Sequence, residues 1–128
     1  GRRLLLSAGD VMKPRPDVAV LGENASLDEI VTALTRFPLG LVCVLDAEDR
    51  ILGVITDGDV RRAVMGKRYE TRADAMMTTT PVTIRAEERL ADVLDVMENP
   101  QRKVYAVPVT DEEGRLQGVV RMHDVLGS

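Results

Sequence analysis

The sequence has 128 residues and a formal net charge of −4; 45% of it is hydrophobic, 30% is charged, and its aromatic side chains are Phe37, Tyr69 and Tyr105. That balance argues against a general nucleic-acid binder, which needs a basic surface and, for single strands, aromatic platforms on which bases stack. No apolar run approaches the roughly 20 residues that span a bilayer and no signal peptide opens the chain, so a cytoplasmic protein with an aliphatic core is expected, with no nucleic-acid and no membrane partner.

In chain order, Gly1 leads into the amphipathic stretch Arg2-Arg3-Leu4-Leu5-Leu6, which reads as part of a linker, residues 1–7, cut from a longer protein. Pro16 to Leu21 is expected to be extended. Ser26 then suits an N-cap, with Glu29 three residues on, and Leu27, Ile30, Val31 and Leu34 fall on one face of a predicted helix. Two strands follow, Leu41 to Leu45 and Arg50 to Ile55, joined by the polar turn Asp46-Ala47-Glu48-Asp49. Cys43 sits inside the first of them, where a lone cysteine reads as a small core hydrophobe in a reducing compartment. A second helix is predicted from about Gly58 to Met65.

The pattern then starts again. Pro81 to Ile84 is extended, and Leu90, Val93, Leu94 and Met97 line a helix face. Strands Val104 to Val109 and Arg115 to Val120 flank the turn Asp111-Glu112-Glu113-Gly114, and a last helix runs from about His123. The two halves are copies. Gly53-Val54-Ile55-Thr56-Asp57-Gly58-Asp59-Val60 matches Gly118-Val119-Val120-Arg121-Met122-His123-Asp124-Val125 at an offset of 65, as Met12 and Pro16 match Met77 and Pro81. The helix faces match at an offset of 63, a slip that loop lengths absorb. Half a chain has too little core to stand alone, so the halves are expected to pack sheet to sheet about a pseudo-two-fold axis.

The opening motifs, Asp10-Val11-Met12-x-x-x-Pro16 and Met76-Met77-Thr78-x-x-Pro81-Val82-Thr83, together with the two closing Gly-x-x-x-x-x-Asp motifs, resemble a tandem pair of cystathionine-β-synthase (CBS) domains. Ala75 departs from that pattern where the second opening Asp would stand. The resemblance implies an α/β (α+β) fold of two β-α-β-β-α repeats, residues 8–68 and 69–128. The runs Leu4 to Met12, Thr56 to Arg62 and Met122 to Leu126 are further similar to the C-terminal region of bacterial arabinose-5-phosphate isomerases. Those enzymes carry an N-terminal sugar-isomerase domain and feed the synthesis of Kdo, the sugar acid of lipopolysaccharide. The resemblance thus implies a regulatory region whose catalytic partner is the isomerase domain of the same polypeptide, and which forms homodimers of CBS pairs.

The candidate site lies at the end of the closing motif. A strand meets a helix at Thr56-Asp57-Gly58-Asp59, where free backbone N–H groups and the helix dipole favour an anion. Thr56 and Asp59 also stand at the spacing of a capping box, so a structural role is open as well, and the two can hold together. In CBS domains such a Thr and Asp hold the phosphate and the ribose hydroxyls of a nucleotide. The resemblance accordingly implies a cleft between the repeats lined by Val54, Thr56, Asp57, Gly58, Asp59, Thr80, Pro81, Val82 and Thr83. Arg121, Met122, His123 and Asp124 would join it from the second copy, with Arg121 or Arg62 meeting an anionic end. A nucleotide bearing a sugar acid, CMP-Kdo, fits that set as a feedback ligand, with AMP or ATP as the alternative. A dimerisation element with a vestigial site is the competing class. One histidine, His123, leaves little material for a metal site or a triad, and neither catalytic nor metal-binding residues are assigned.

Overall fold

The computed structural model describes residues 5–127; residues 1–4 of the expected linker, and Ser128, lie outside the described residues. In chain order the elements are α1 (Ala8–Val11), β1 (Lys13–Pro14), a 3-10 turn (Arg15–Asp17), β2 (Val20–Leu21), α2 (Leu27–Arg36), β3 (Leu41–Leu45), β4 (Ile51–Thr56), α3 (Asp57–Met65), α4 (Ala73–Met76), α5 (Leu90–Met97), β5 (Ala106–Thr110), β6 (Leu116–Arg121) and α6 (Met122–Leu126). The mixed α+β class follows the sequence pattern, and the first copy keeps the expected strand-helix-strand-strand-helix order. In the second copy the expected extended segment Pro81 to Ile84 forms no strand and is reduced to the single bridge of Ile84 with Val109. Pro16 does not begin an extended segment: it sits in the 3-10 turn, which its fixed φ suits, and pairing starts only at Val20. The short helices α1 and α4 were not expected, because four residues are too few for a periodic signal.

The described residues form two compact units, one of residues 18–81 and one of residues 5–17 with 82–127. These units cut across the sequence repeats: each holds the strands and helices of one copy and the opening segment of the other. In the 18–81 unit, β2 runs parallel to β3 (Val20 beside Cys43) and β4 antiparallel to it (Leu41 beside Thr56). Every residue of β3 is buried, Cys43 included. Ile30, Leu34, Val42, Val44, Ile55 and Ala73 form its aliphatic core. Val31, expected on the same helix face, is exposed.

The other unit repeats the plan. β5 and β6 pair antiparallel, and Ile84 bridges Val109 in parallel, as Leu21 does Val44. Its core comprises Val93, Met97, Val107, Val109, Val120 and Ala8 together with Ile84, Leu90 and Val125. These first six match, in order, the six core residues just given for the 18–81 unit. The hairpin tips match as well. Asp46 accepts hydrogen bonds from the Glu48 and Arg50 backbones, each at 2.9 Å, and Asp111 does the same from Glu113 and Arg115, also at 2.9 Å. Asp49 (φ 65°) and Gly114 (φ 81°) occupy the same left-handed turn position, where Asp and Gly are the residues that fit most readily.

Candidate functional site

β4 ends at Thr56 because α3 begins there, and the helix start is capped from within. The Asp59 carboxylate accepts from the Thr56 backbone N–H at 2.9 Å and from its hydroxyl at 3.1 Å, while the Thr56 Oγ1 accepts weakly from the Asp59 N–H at 3.4 Å. The capping reading of this pair is therefore realised. Ser7 with Asp10 and Ser26 with Glu29 repeat the arrangement at α1 and α2. At α4, Ala75 cannot repeat it, and the guanidinium of Arg72 donates to the Asn24 carbonyl at 2.9 Å instead. A cap leaves ligand chemistry possible, since a hydroxyl can exchange partners and a carboxylate has spare lone pairs. The other Asp59 oxygen, Oδ1, meets Arg62 Nη2 at 2.6 Å. Arg62 folds back over Gly58, where an added Cβ would lie 3.4 Å from its guanidinium.

Of the expected site residues, Val54, Thr56, Asp57, Gly58, Asp59, Arg62, Thr80 and Pro81 belong to the 18–81 unit. Val54 and Thr78 exchange backbone hydrogen bonds, Val54 N–H donating at 3.2 Å and Thr78 N–H at 2.9 Å, which draws the opening segment of the second copy alongside β4. The resemblance implied that this segment lies near Val54 and Asp59, but the pairing of Thr78 with Val54 was not foreseen. Its signal was present in the repeated Met and Gly: a Cβ on Gly53 would lie 2.6 Å from the Thr78 carbonyl and 2.8 Å from Met77, and one on Gly118 would collide with the Lys13 carbonyl and lie 2.8 Å from Met12. The closing glycine is thus the place where the opening methionine crosses the strand. Between α2 and α3 lies an open groove of about 300 Å³ lined by Val31, Leu34, Thr35, Asp57, Val60 and Arg61. Asp57 belongs to it.

Val82, Thr83, Arg121, Met122, His123 and Asp124 belong to the other unit. Val82 and Met122 pack against its core, and His123 is exposed. Asp124 is 8% exposed and accepts from the Arg121 backbone at 2.9 Å. The Arg121 guanidinium adds Nε to Oδ2 at 3.1 Å and Nη2 to Oδ1 at 2.9 Å. Burial pushes the Asp124 carboxyl up, but the Arg121 hydrogen bonds and charge outweigh it and hold the group below the usual carboxylate range. Among the described residues no cluster of His, Cys, Asp or Glu could hold a metal ion, and no helix is long and apolar enough to cross a membrane.

Comparison with known proteins adds three findings. Residues 8–66 and 73–128 each match the CBS domain family. Arabinose 5-phosphate isomerase GutQ of Shigella flexneri is 37% identical over 125 residues, covering 97% of this chain and 38% of that protein. Arabinose 5-phosphate isomerase KdsD of Pseudomonas aeruginosa is 37% identical over 129 residues, covering 98% of this chain and 39% of that one. The chain thus spans well under half the length of the curated relatives it matches. Among solved structures, CBSX2 in complex with AMP superposes with a TM-score of 0.82 at 23% identity, over 95% of this chain and 94% of that one. The CBS domain pair of MJ0100, in complex with 5′-methylthioadenosine and S-adenosyl-L-methionine, gives 0.85 at 20% identity, over 96% and 94%. With both copies of the motif matched and the fold shared along nearly its whole length, the chain belongs to the CBS domain family, as a tandem pair akin to the CBS-containing region of the arabinose 5-phosphate isomerases.

Proposed function

We propose that this CBS pair is the ligand-sensing regulatory region of an arabinose-5-phosphate isomerase and that it binds a nucleotide, CMP-Kdo or a related cytidine nucleotide, as a feedback signal. The observation that carries the reading is the β4–α3 turn. Thr56, Asp57, Gly58 and Asp59 bring a hydroxyl, free N–H groups and a carboxylate to one helix start, in a chain whose relatives make a precursor of that sugar acid. In this reading a phosphate sits at the start of α3, Asp59 accepts from the ribose hydroxyls, and Val54, Thr80 and Pro81 flank the base. Arg62, released from Asp59, turns to the ligand's anionic end. An exposed single-point ion pair such as Asp59–Arg62 contributes little to stability, so its exchange for a ligand is not costly. Catalysis is assigned to a sugar-isomerase domain of the same polypeptide, and cytoplasmic homodimers of CBS pairs complete the proposal.

A second reading, an adenine-nucleotide sensor, is favoured by the AMP complex of the structurally similar CBSX2. Isothermal titration of the chain with CMP-Kdo, CMP, AMP and ATP separates the two. CMP-Kdo is expected to bind most tightly and to raise the unfolding temperature, as any ligand of the folded state must. Binding of adenine nucleotides alone would replace the Kdo reading with the second one. Asp59→Ala is expected to weaken binding by about tenfold or more, the cost of losing hydrogen bonds to a charged group. Unchanged affinity in that variant would move the site elsewhere.

A further inference from the structure

The two copies of the closing motif treat their acid differently. In both, the first residue's backbone N–H donates to Oδ2 at 2.9 Å, so the turns are built alike. At the first turn, Oδ1 of Asp59 meets Arg62, whose side chain is 67% exposed and held there by a single contact. At the second, Arg121 replaces Thr56 and lays its guanidinium along both oxygens of Asp124, with side chains 27% and 9% exposed. A planar fork on a carboxylate is the strongest of the common charge pairs. Shielded from water, it is also hard to break one partner at a time, because the other is left charged and unpaired. Thr56 can give up its hydrogen bond and accept another; a guanidinium has no acceptor to offer.

We infer that Arg121 is a built-in occupant of the second motif: it takes the carboxylate that a ribose would need, so the chain binds one nucleotide, through Asp59, and not two. This rests on the reading of the Asp59 turn as a ligand site. It predicts a division of labour between copies, one turn kept for ligand and the other turned into a structural lock.

The test uses the full 128-residue chain with CMP and AMP as probes in calorimetric titration, beside urea unfolding. One equivalent per chain is expected, and Asp59→Asn should weaken its binding by about tenfold or more. Arg121→Gln and Asp124→Asn should each lower the urea midpoint, and the double variant should lose markedly less than their sum, because the lock is a single unit. Two equivalents in the wild type, one equivalent persisting at unchanged affinity in Asp59→Asn, or an affinity loss in Arg121→Gln as large as that in Asp59→Asn would each overturn the inference while leaving a nucleotide site in place. Additive urea midpoints would overturn the lock itself. Binding of neither probe, nor of CMP-Kdo titrated beside them, would remove the Asp59 reading and the stoichiometry with it, and a non-additive cycle would then support only the lock.

Discussion

Gly53 and Gly118 show why a repeated motif need not be a binding motif at every position. Neither has a positive φ, so backbone freedom is not the reason a side chain is missing. Space is. At Gly53 the nearest atoms to an added Cβ are a backbone carbonyl at 2.6 Å and the Met77 side chain at 2.8 Å, and the carbonyl cannot swing aside as a side-chain tip could. Gly53→Ala is therefore expected to destabilise the chain by about 1–3 kcal/mol, the usual cost of overpacking. Gly22→Ala, with nothing within 4 Å, should stay within about 0.5 kcal/mol of the wild type. Urea midpoints at unchanged m-values decide it; equal midpoints for the two variants would show that the opening segment does not press on β4. The sequence made Gly53 visible as part of a repeat but not as a crossing point, because the atoms it avoids come from Met77 and Thr78, 24 and 25 residues later.

At the level of elements, local chemistry was the most legible part. Ser26 and Glu29 announced the start of α2, and Leu27, Ile30 and Leu34 its buried face. The hairpin tips were anticipated as solvated turns, but their acids are also braces. At Asp46 the hydrogen bond from the Arg50 backbone is the largest influence and holds the carboxyl below its usual range, and the Arg115 backbone does the same at Asp111. The caps act alike through the Ser7 backbone on Asp10 and the Ser26 backbone on Glu29. For each of these groups the folded state binds its proton less readily than the unfolded chain. Their stabilisation is therefore complete above the unfolded value, near about 4, and is lost as pH falls through the lowered folded values. Thermal unfolding followed by circular dichroism should show a plateau from about pH 5 upward and a fall below about pH 4. Replacing Asp46 and Asp111 together by Asn, which keeps one acceptor oxygen and removes the titration, should make that fall shallower. An identical fall in the variant would mean that other carboxylates govern acid sensitivity.

For the whole molecule, the repeat foretold two similar halves but not their composition. Periodicity finds where a pattern recurs along the chain; it is blind to which copy an opening segment packs with. Here the 72–78 segment is tied to the first copy's strands and helices: Ser26 bridges Arg72, Ala73 N–H donates to Ala25 O and Asp74 N–H to Glu23 O, each at 2.9 Å, before Thr78 reaches Val54. Ala73 is fully buried in that core. The 6–17 segment is held by the second copy in the same way, with Ala8 N–H donating to Glu88 O at 2.8 Å and Gly9 N–H to Ala86 O at 2.9 Å. A fragment cut by the CBS family match, residues 8–66, thus loses Ala73, Met76 and Met77 from its core and carries residues 8–17 without their partners. A fragment cut by compact unit, residues 18–81, keeps every member of one core. Units this small are marginal, so losing even part of the core should show. The 18–81 fragment is expected to unfold in urea with a sigmoidal, cooperative transition, and the 8–66 fragment with a broad, sloping one. If 8–66 unfolds as sharply and at as high a urea concentration as 18–81, the opening segments do not complete the cores, and each CBS copy stands by its own residues.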